Sequence, residues 1–398
     1  MMSSDLNKKI VSENNIKTKI LEILLSLSVC LCIFSQLPIN KISNDLRSLG
    51  SALWFVSFFY TMFAFGRRIK LKVIFHVLPV LIFDFLIMVL QVFSGNNYLS
   101  SQLIYPIHLS VFIFLVCFLS GQFLPEKSFK RLVNVYVLSV IIVSLYIFFN
   151  FYYDTAWFSS ALYIYGAKNS FAQNVLFAAV FILLYGFMNS NKLKYPIIFL
   201  LIFFLFILKC RSTLVGFFIT FFYVIFFHIK NFTVKVFIVI FLLFFILSIF
   251  VVPSLNDFFI DEMIFNNRMD GGLNAISSGR LTHFERFVDL FNNSPIIGNG
   301  KVRVESFPLS VLAGFGVLAG SFIIYFSISP LITCIKKLLK KEYSTMLTIL
   351  FIFTLISLSN SLFEEQAPFG PGVKCFFLWV VYGFYLGREN KFDENSLN

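Results

Sequence analysis

Long apolar runs follow one another along nearly the whole chain, separated by short polar segments. In a bilayer, a helix needs about 20 consecutive apolar residues to cross, because backbone N–H and C=O groups must be paired internally in hydrocarbon. The pattern predicts twelve spanning helices, at 20–37, 49–66, 73–93, 101–120, 132–151, 170–188, 195–209, 213–228, 234–252, 307–330, 344–362 and 373–387. The seventh and eighth could equally form one long kinked helix.

The composition excludes a soluble globular protein. Hydrophobic residues make up 58% of the 398 positions and charged residues 13%, whereas soluble domains average about 25% charged residues. The 57 phenylalanines exceed what a core of this length could hide from water. The predicted fold class is therefore an all-α polytopic membrane protein.

The basic residues predict the orientation of the chain in the membrane. With twelve spans both termini share one side, and 21 of the 32 Lys and Arg residues fall on it, against 11 on the other. The excess predicts cytoplasmic termini, and it accounts for the net charge of +12 without a nucleic-acid partner. The expected organisation is a cytoplasmic segment 1–19, nine spans in 20–252, a large periplasmic loop 253–306, three spans in 307–387 and a cytoplasmic tail 388–398.

The loop 253–306 has a helical pattern of its own. Apolar residues recur at helical spacing after Ser277-Ser278-Gly279, and Asn292-Asn293-Ser294-Pro295 ends the run. This predicts an amphipathic helix that lies on the outer membrane surface or packs against the bundle. Gly298 and Gly300 predict a tight turn before the next span.

Three segments carry a resemblance to a known family. Lys209-Cys210-Arg211-Ser212-Thr213 is a Ser-Arg-Thr-like turn at the outer end of a span. Ser278-Gly279-Arg280 leads through phenylalanines at helical spacing to Pro295-Ile296-Ile297-Gly298-Asn299-Gly300, and Glu305-Ser306 precedes Gly314-Phe315-Gly316-Val317-Leu318-Ala319-Gly320. In this order they resemble the O-antigen polymerase and O-antigen ligase superfamily of membrane glycosyltransferases. The resemblance implies a GT-C-like fold of about twelve helices with one large periplasmic loop. Tyr165-Gly166-Ala167-Lys168-Asn169-Ser170 resembles an upstream motif of the family.

One departure from the family pattern favours the polymerase over the ligase. Ligases carry a His-Asn-like pair where this chain has Glu305-Ser306, and none of the four histidines occupies that position. The resemblance then implies a bacterial inner-membrane enzyme that polymerises lipid-linked repeat units into O-antigen or capsular polysaccharide at the periplasmic face. Its expected partners are undecaprenyl-pyrophosphate-linked oligosaccharide, membrane lipids and a chain-length regulator protein.

The chemistry of such a transfer points to particular residue types. Negative charge grows on the departing pyrophosphate, and guanidinium groups can bind phosphate oxygens bidentately. We expect Arg280 and Arg211 to stabilise this charge and Glu305 to serve as the base for the acceptor hydroxyl. Expected substrate-binding residues are Lys168, Asn169, His283, Arg286 and Arg303.

Each candidate also has a structural explanation. An arginine beside a span can be an interfacial anchor, and Glu305 could pair with Arg303 or Lys301. Asp84 lies in the middle of a span, where a carboxyl group is costly and therefore a functional candidate. Glu364 and Glu365, at the outer end of the eleventh span, are further candidates.

The sequence contains no Gly-rich phosphate loop, dinucleotide fingerprint, zinc motif or Asp-x-Asp pair. A metal-independent reaction without a cofactor is therefore expected. The rival interpretation is a flippase or other transporter for the same lipid-linked oligosaccharide. Such transporters are built from internal repeats with binding residues near the midplane, and the two halves of this chain show no similarity.

Overall fold

The structure is a computed structural model, and it is helical throughout the residues it describes, with no β-strand among them. It describes residues 2–37, 39–66, 69, 73–151, 168–186, 191–208, 210–264, 272, 274, 277, 279–370 and 376–395. Side chains are not described at 2–14, 40, 41, 151, 168, 191, 228, 258, 262–264 and 390–395. The longer helices are α1 Met2–Phe34, α2 Asn40–Phe65, α3 Val73–Ser94, α4 Ile104–Gly121, α5 Glu126–Phe151, α6 Lys168–Tyr185, α7 Asn191–Ile207, α8 Arg211–Tyr223, α9 Phe232–Val251, α10 Arg280–Asn293, α11 Phe307–Leu339, α12 Thr345–Ser361 and α13 Phe376–Asn395.

Several of these helices have the length and composition of membrane spans, which confirms the predicted all-α polytopic membrane class. Within the described residues, six segments are long and apolar enough to cross: Ile42–Phe65, Val73–Ser94, Ile104–Gly121, Glu126–Asn150, Phe232–Val251 and Phe307–Leu339. Three shorter apolar helices are Asn169–Tyr185, Arg211–Phe227 and Thr345–Ser361. The count of twelve spans stays a prediction.

Two local expectations are settled by the helix bounds. The elements on either side of Lys209 are separate helices, since α7 ends at Ile207 and α8 begins at Arg211. The first helix begins at Met2 and therefore extends well before the apolar run that starts near residue 20. Apolar periodicity marks the part of a helix that faces hydrocarbon, and it does not detect a polar extension of the same helix.

Close packing of α4 against α13 forms the centre of the bundle. A Cβ added at Gly383 would lie 2.5 Å from the Phe114 carbonyl oxygen, and one at Gly121 would lie 3.0 Å from the carbonyl oxygen of Phe384. Small residues let two helices approach this closely in a membrane, where dispersion contacts rather than the hydrophobic effect hold them together.

Charged side chains at one end of the bundle, here called the far end, tie several helices together. Lys337 of α11 pairs with Glu342 at 2.8 Å and with Glu389 of α13 at 2.7 Å. Arg388 of α13 pairs with Glu126 of α5 at 3.3 Å, and the Tyr185 hydroxyl at the end of α6 donates to Glu126 at 3.0 Å. Helices α5 and α12 therefore begin at the far end, where α6, α11 and α13 end.

The opposite end, here called the site end, contains a turn that follows α12. This turn, residues 362–370, is fastened to the bundle through Phe369. The Phe369 ring is stacked on Phe326 of α11 and Trp379 of α13 at 6.0 and 5.1 Å between centroids. Ser110 of α4 donates to the Phe369 carbonyl at 2.8 Å. The turn is therefore held rigidly where α6 begins and α12 ends.

The predicted turn at Gly298 and Gly300 docks on a break in α11. Gly316 has φ 65° and ψ −177°, which interrupts the helix. The Gly300 N–H donates to the Gly314 carbonyl at 2.8 Å, and the Leu318 N–H donates to the Ile296 carbonyl at 3.0 Å. Segment 295–300 thus replaces the helical hydrogen bonds that the break removes from α11, which satisfies these backbone groups.

Candidate functional site

Helix α10 carries three of the expected site residues, Arg280, His283 and Arg286. It begins at Arg280, directly after Gly279 in the left-handed conformation (φ 82°), and ends at Asn293. These bounds confirm the amphipathic helix expected from the sequence. Phe287 and Leu290 pack against a small cluster formed by Val302, Val304 and Ala313. This packing turns Arg280 and His283, one turn apart, towards the site end of the bundle.

The guanidinium group of Arg280 reaches the 362–370 turn. Its Nη2 donates to the Phe363 carbonyl at 3.4 Å, and its Nη1 donates to the Ser277 carbonyl at 3.2 Å. The Cζ atom lies 5.4 Å from the centre of the Phe363 ring, which gives a cation–π contact. Arg280 is half-buried and has no carboxylate partner among the described residues, so its charge is neutralised there only by dipoles and the ring.

His283 and Glu305 lie side by side. His283 Nε2 is 3.7 Å from Glu305 Oε1, and the two side chains are 27% and 37% exposed. Glu305 lies in the connection that leads into α11, so the contact joins α10 to the start of a span. A carboxylate beside an imidazole can orient it and stabilise its protonated form.

Two adjacent carboxylates on the 362–370 turn join the same region. Asn169, in the first turn of α6, donates to Glu364 Oε1 at 2.9 Å. Glu365 accepts a hydrogen bond from Ser310 of α11 at 3.2 Å and lies 3.9 Å from Arg303 Nε. The Glu365 side chain is 10% exposed, whereas Arg303 is 66% exposed. Glu365 is therefore held in place, and Arg303 remains largely open to solvent.

Arg211 lies at the same end of the bundle. Helix α6 runs from Asn169 at the site end to Tyr185 at the far end. Helix α7 packs beside α6 and returns, and α8 begins at Arg211 shortly after α7 ends at Ile207. The Arg211 side chain is half-buried.

Of the remaining two candidates, Arg286 lies outside this group and the side chain of Lys168 is not described. Arg286 is exposed on the polar face of α10, away from the 362–370 turn. Lys168 begins α6 beside Asn169, and its side chain lies outside the described residues. The structure thus gathers Arg280, His283, Glu305, Asn169 and Arg303 around the 362–370 turn and leaves Arg286 in solvent.

Two buried atoms on α10 have unused hydrogen-bonding capacity. Arg280 Nε and His283 Nδ1 are shielded from solvent and find no partner among the described residues. Buried polar groups without partners are rare and require an explanation, of which a binding role is one. The two residues lie one turn apart on α10, and Glu305 lies beside His283.

A buried polar pair continues from the site into the membrane region. Asn360 of α12 donates to Gln173 of α6 at 2.6 Å, one turn below the bond between Glu364 and Asn169. Gln173 and Asn360 are 0% and 2% exposed. Two rungs at i, i+4 spacing therefore fix the register of α6 against α12 and hold Glu364 in position.

Asp84, the intramembrane candidate, is paired at another place in the fold. Its Oδ1 lies 3.0 Å from His108 Nε2 of α4, and His108 Nδ1 bonds to the Ile104 carbonyl at 2.7 Å. This hydrogen bond between α3 and α4 gives the Asp84 carboxyl group a structural partner.

Sequence patterns alone do not identify the 362–370 turn as part of the site. Glu364 and Glu365 were recognised as acidic residues at a span end, but nothing in their spacing pointed to Asn169 or Ser310 as partners. Phe363, Gln173 and Asn360 carried no signal that distinguishes them from other residues of a span. Among the described residues, no group of three or more His, Cys, Asp or Glu side chains is arranged to hold a metal ion.

Comparison with known proteins supports the resemblance seen in the sequence. Residues 196–328, about one third of the chain, match the model of a family described as O-antigen ligase. The match includes Arg211, Arg280, His283 and Glu305 and ends before the 362–370 turn. No curated protein matches the chain. This match over one third of the chain supports membership in the O-antigen polymerase and O-antigen ligase superfamily of membrane proteins.

Proposed function

We propose that this protein is a membrane glycosyltransferase that joins lipid-linked oligosaccharide repeat units into a polysaccharide. The family match at residues 196–328 supports a membrane enzyme of the O-antigen polymerase and ligase type. The observation that carries the proposal is the pair of buried, unpartnered nitrogens of Arg280 and His283 at the site end. A ligand rich in oxygen atoms would satisfy both.

The reaction needs one bond made and one broken. The oxygen of an acceptor sugar hydroxyl attacks the anomeric carbon of the donor glycan, and the bond from that carbon to the pyrophosphate oxygen breaks. The polyprenyl pyrophosphate leaves with the bonding electron pair, and the hydroxyl proton passes to a base. The activated donor bond supplies the driving force, so the protein has to position the reactants and stabilise charge.

The arginines are suited to the leaving group. Arg280 lies at the N-terminus of α10, where the helix dipole favours an anion. Its guanidinium is held by Phe363 from the opposite side, so it needs little reorganisation when charge develops. Arg211 begins α8 at the same end of the bundle and would contact a second phosphate oxygen.

The acceptor side is assigned to the acidic residues. Glu305, assisted by His283 at 3.7 Å, is the proposed base. Glu364, held by Asn169, and Glu365, held by Ser310, are placed to accept hydrogen bonds from sugar hydroxyl groups. Arg303 is the proposed solvent-side contact to the saccharide, because most of its surface is exposed.

A ligase is the second candidate, and two observations favour it. The matching family is described as O-antigen ligase. In addition, α10 brings His283 beside Glu305 in space. A histidine is therefore present near the position where ligases carry one, although it is not adjacent to Glu305 in the sequence. Polymerase and ligase share the donor and differ in the acceptor, which is a second repeat unit or a lipid A core.

Purified protein in proteoliposomes would test both candidates. We expect lipid-pyrophosphate-linked repeat units alone to give a ladder of polymer, without nucleotide sugar and in the presence of a chelator. Product that forms only when lipid A core is added would assign the ligase activity instead. Absence of product with either acceptor, from protein that reconstitutes in folded form, would overturn the transferase proposal.

A further inference from the structure

The apolar face of α10 is wider than its contact with the rest of the protein. Phe287 and Leu290 pack against Val302, Val304 and Ala313. On the neighbouring flank, Leu281, Phe284 and Val288 are 45%, 54% and 38% exposed. These three follow one another at i, i+3 and i+7, so they form a continuous stripe along the helix.

The third face of α10 is charged. Arg286 and Asp289 are exposed on the side of the helix away from the stripe, and the exposed Glu285 lies between them and Leu281. If α10 lay wholly in water, its apolar flank would be exposed to solvent. It also cannot enter hydrocarbon, because the charged face would enter with it. Both faces are satisfied at the boundary between the two phases.

The depth of α10 can be estimated from the span next to it. Helix α11 has 33 residues, which at about 1.5 Å per residue is longer than a hydrocarbon layer of about 30 Å requires. Its last turn carries Lys336 and Lys337. A span of about 20 residues that ends at these lysines begins near Gly316, the break on which segment 295–300 docks.

The lipid-facing surface of α11 continues into the end of α10. Val317 and Leu318, just after the break, are 50% and 44% exposed, and Ile296 beside them is 64% exposed. The Leu318 N–H donates to the Ile296 carbonyl at 3.0 Å, so these residues lie at one level. An exposed apolar surface therefore runs from the flank of a span, at the edge of hydrocarbon, through Ile296 towards the stripe on α10.

From this continuity we propose that the stripe formed by Leu281, Phe284 and Val288, together with Ile296, is inserted in the outer leaflet of the lipid bilayer. Helix α10 then occupies both of the positions expected from the sequence: one flank contacts the membrane surface and another packs against the bundle. Insertion itself does not depend on the proposed function. If that function is correct, insertion also holds Arg280 and His283 at the level of lipid phosphates, so a lipid-linked pyrophosphate reaches them laterally from the bilayer.

Depth-dependent fluorescence quenching would test the insertion. Phe284→Trp places a reporter on the stripe, and Asp289→Trp places one on the exposed polar side of the same helix. Both would be reconstituted in phosphatidylethanolamine and phosphatidylglycerol vesicles with acyl chains brominated at different depths, and the wild-type signal would be subtracted. We expect roughly twofold or greater excess quenching for Phe284→Trp, strongest with shallow bromines, since an interfacial helix lies near the headgroup and acyl boundary.

Two outcomes would overturn the proposal. Equally weak quenching of both reporters, with red-shifted emission, would place the stripe in water. Blue-shifted emission of Phe284→Trp without quenching would show that protein, not lipid, covers it. If the wild-type protein forms polymer but its stripe is not inserted, the insertion proposal fails and the proposed function is unaffected. If the stripe is inserted but the protein makes no product, the proposed function fails and the insertion proposal is unaffected.

The activity of stripe variants supplies a second measurement. We expect Phe284→Leu to retain polymer formation and Phe284→Glu to reduce it, with matched amounts of protein in the membrane. Asp289→Asn also changes the charge by one unit, on the polar face, and should leave activity near the wild-type level. Equal activity of Phe284→Glu and Phe284→Leu would contradict a role for insertion in holding the site.

Discussion

At the scale of single residues, Arg280 is placed in an unfavourable position unless an anion binds beside it. It occupies the first turn of α10, where the helix dipole repels a cation. Among the described residues it is compensated by the Phe363 and Ser277 carbonyls and by the Phe363 ring, all uncharged. A phosphate at this position would compensate the guanidinium and the helix dipole together.

Lysine is not expected to support polymer formation in place of either candidate arginine. Arg280→Lys and Arg211→Lys keep the charge but lose the planar two-pronged geometry. We expect polymer formation to fall by roughly one to three orders of magnitude, as for removal of one preorganised charge contact. The measurement is the rate of ladder growth at matched protein amounts in the membrane.

Arg131→Lys is the control for these variants, because Arg131 is an exposed arginine that pairs with Glu22 and falls outside the family match. It should be nearly silent. Full ladders from both lysine variants would show that charge alone suffices, and full ladders from the corresponding alanine variants would remove the arginines from the mechanism.

The carboxylate of Glu305 can be separated from its neighbours by an isosteric change. Glu305→Gln keeps the size of the side chain but removes the proton acceptor, so we expect a loss of roughly 10²- to 10⁴-fold in turnover. Glu285→Gln, an exposed glutamate on the polar face of α10, is the control and should retain activity. Wild-type rates from Glu305→Gln would assign the base to another residue, with Glu364 as the next to test.

At the scale of elements, the glycines of segment 295–300 have a structural role. Gly298 has φ 76°, and a Cβ there would collide with the Gly314 carbonyl and the Gly316 N–H. Gly316 has φ 65°, and a Cβ there would collide with the Ile296 carbonyl. The motif therefore joins α10 to the break in α11 by backbone contact that only glycine permits.

Gly298→Ala should destabilise the protein through both strain and collision. A non-glycine residue at this φ costs about 1–3 kcal/mol, and the contact with α11 adds to it. Gly186→Ala is the control, because Gly186 has nearly the same φ of 78° but no described residue within 4 Å of the Cβ that alanine would add. Thermal unfolding of the detergent-solubilised proteins would give a clearly larger loss for Gly298→Ala. Equal losses for the two variants would mean that close contact contributes nothing.

At the scale of the whole molecule, the bundle has two chemically different ends. The far end holds Glu126, Lys337, Arg388 and Glu389 in mutual ion pairs. The site end holds Arg280 and His283 with unpartnered buried nitrogens and an arginine, Arg303, that is largely exposed. Saturated ion pairs stabilise a fold, whereas a buried polar group without a partner requires an explanation, of which ligand binding is one.

The orientation of these ends in the membrane is a prediction that reporter fusions can check. The split of 21 to 11 basic residues places both termini in the cytoplasm and the loop 253–306 outside. A fusion after Asn390 should report a cytoplasmic position, and a fusion after Asn293 an external one. A cytoplasmic signal after Asn293 would show that the orientation is reversed. The proposed site would then lie on the cytoplasmic face, opposite to the outer face where the lipid-linked substrate is expected.

The sequence by itself determined the class of the protein and the elements near the site. Apolar run length is enough to identify membrane helices, because the bilayer imposes their length. Helical spacing between Ser277 and Pro295 was enough to place α10, since its start and stop signals are local. The motifs around Arg211, Arg280 and Glu305 were enough to suggest the family.

Only the tertiary structure decided which residues meet. Asn169 and Glu364 are separated by 195 positions, and Arg280 and Phe363 by 83. Their contacts depend on how α6, α10 and α12 pack, and on a turn fastened through Phe369. Helix packing in a membrane depends on shape and on a few polar contacts between distant residues. Local patterns therefore located the helices, and the grouping of Arg280, His283, Glu305 and Glu364 emerged only when those helices were assembled.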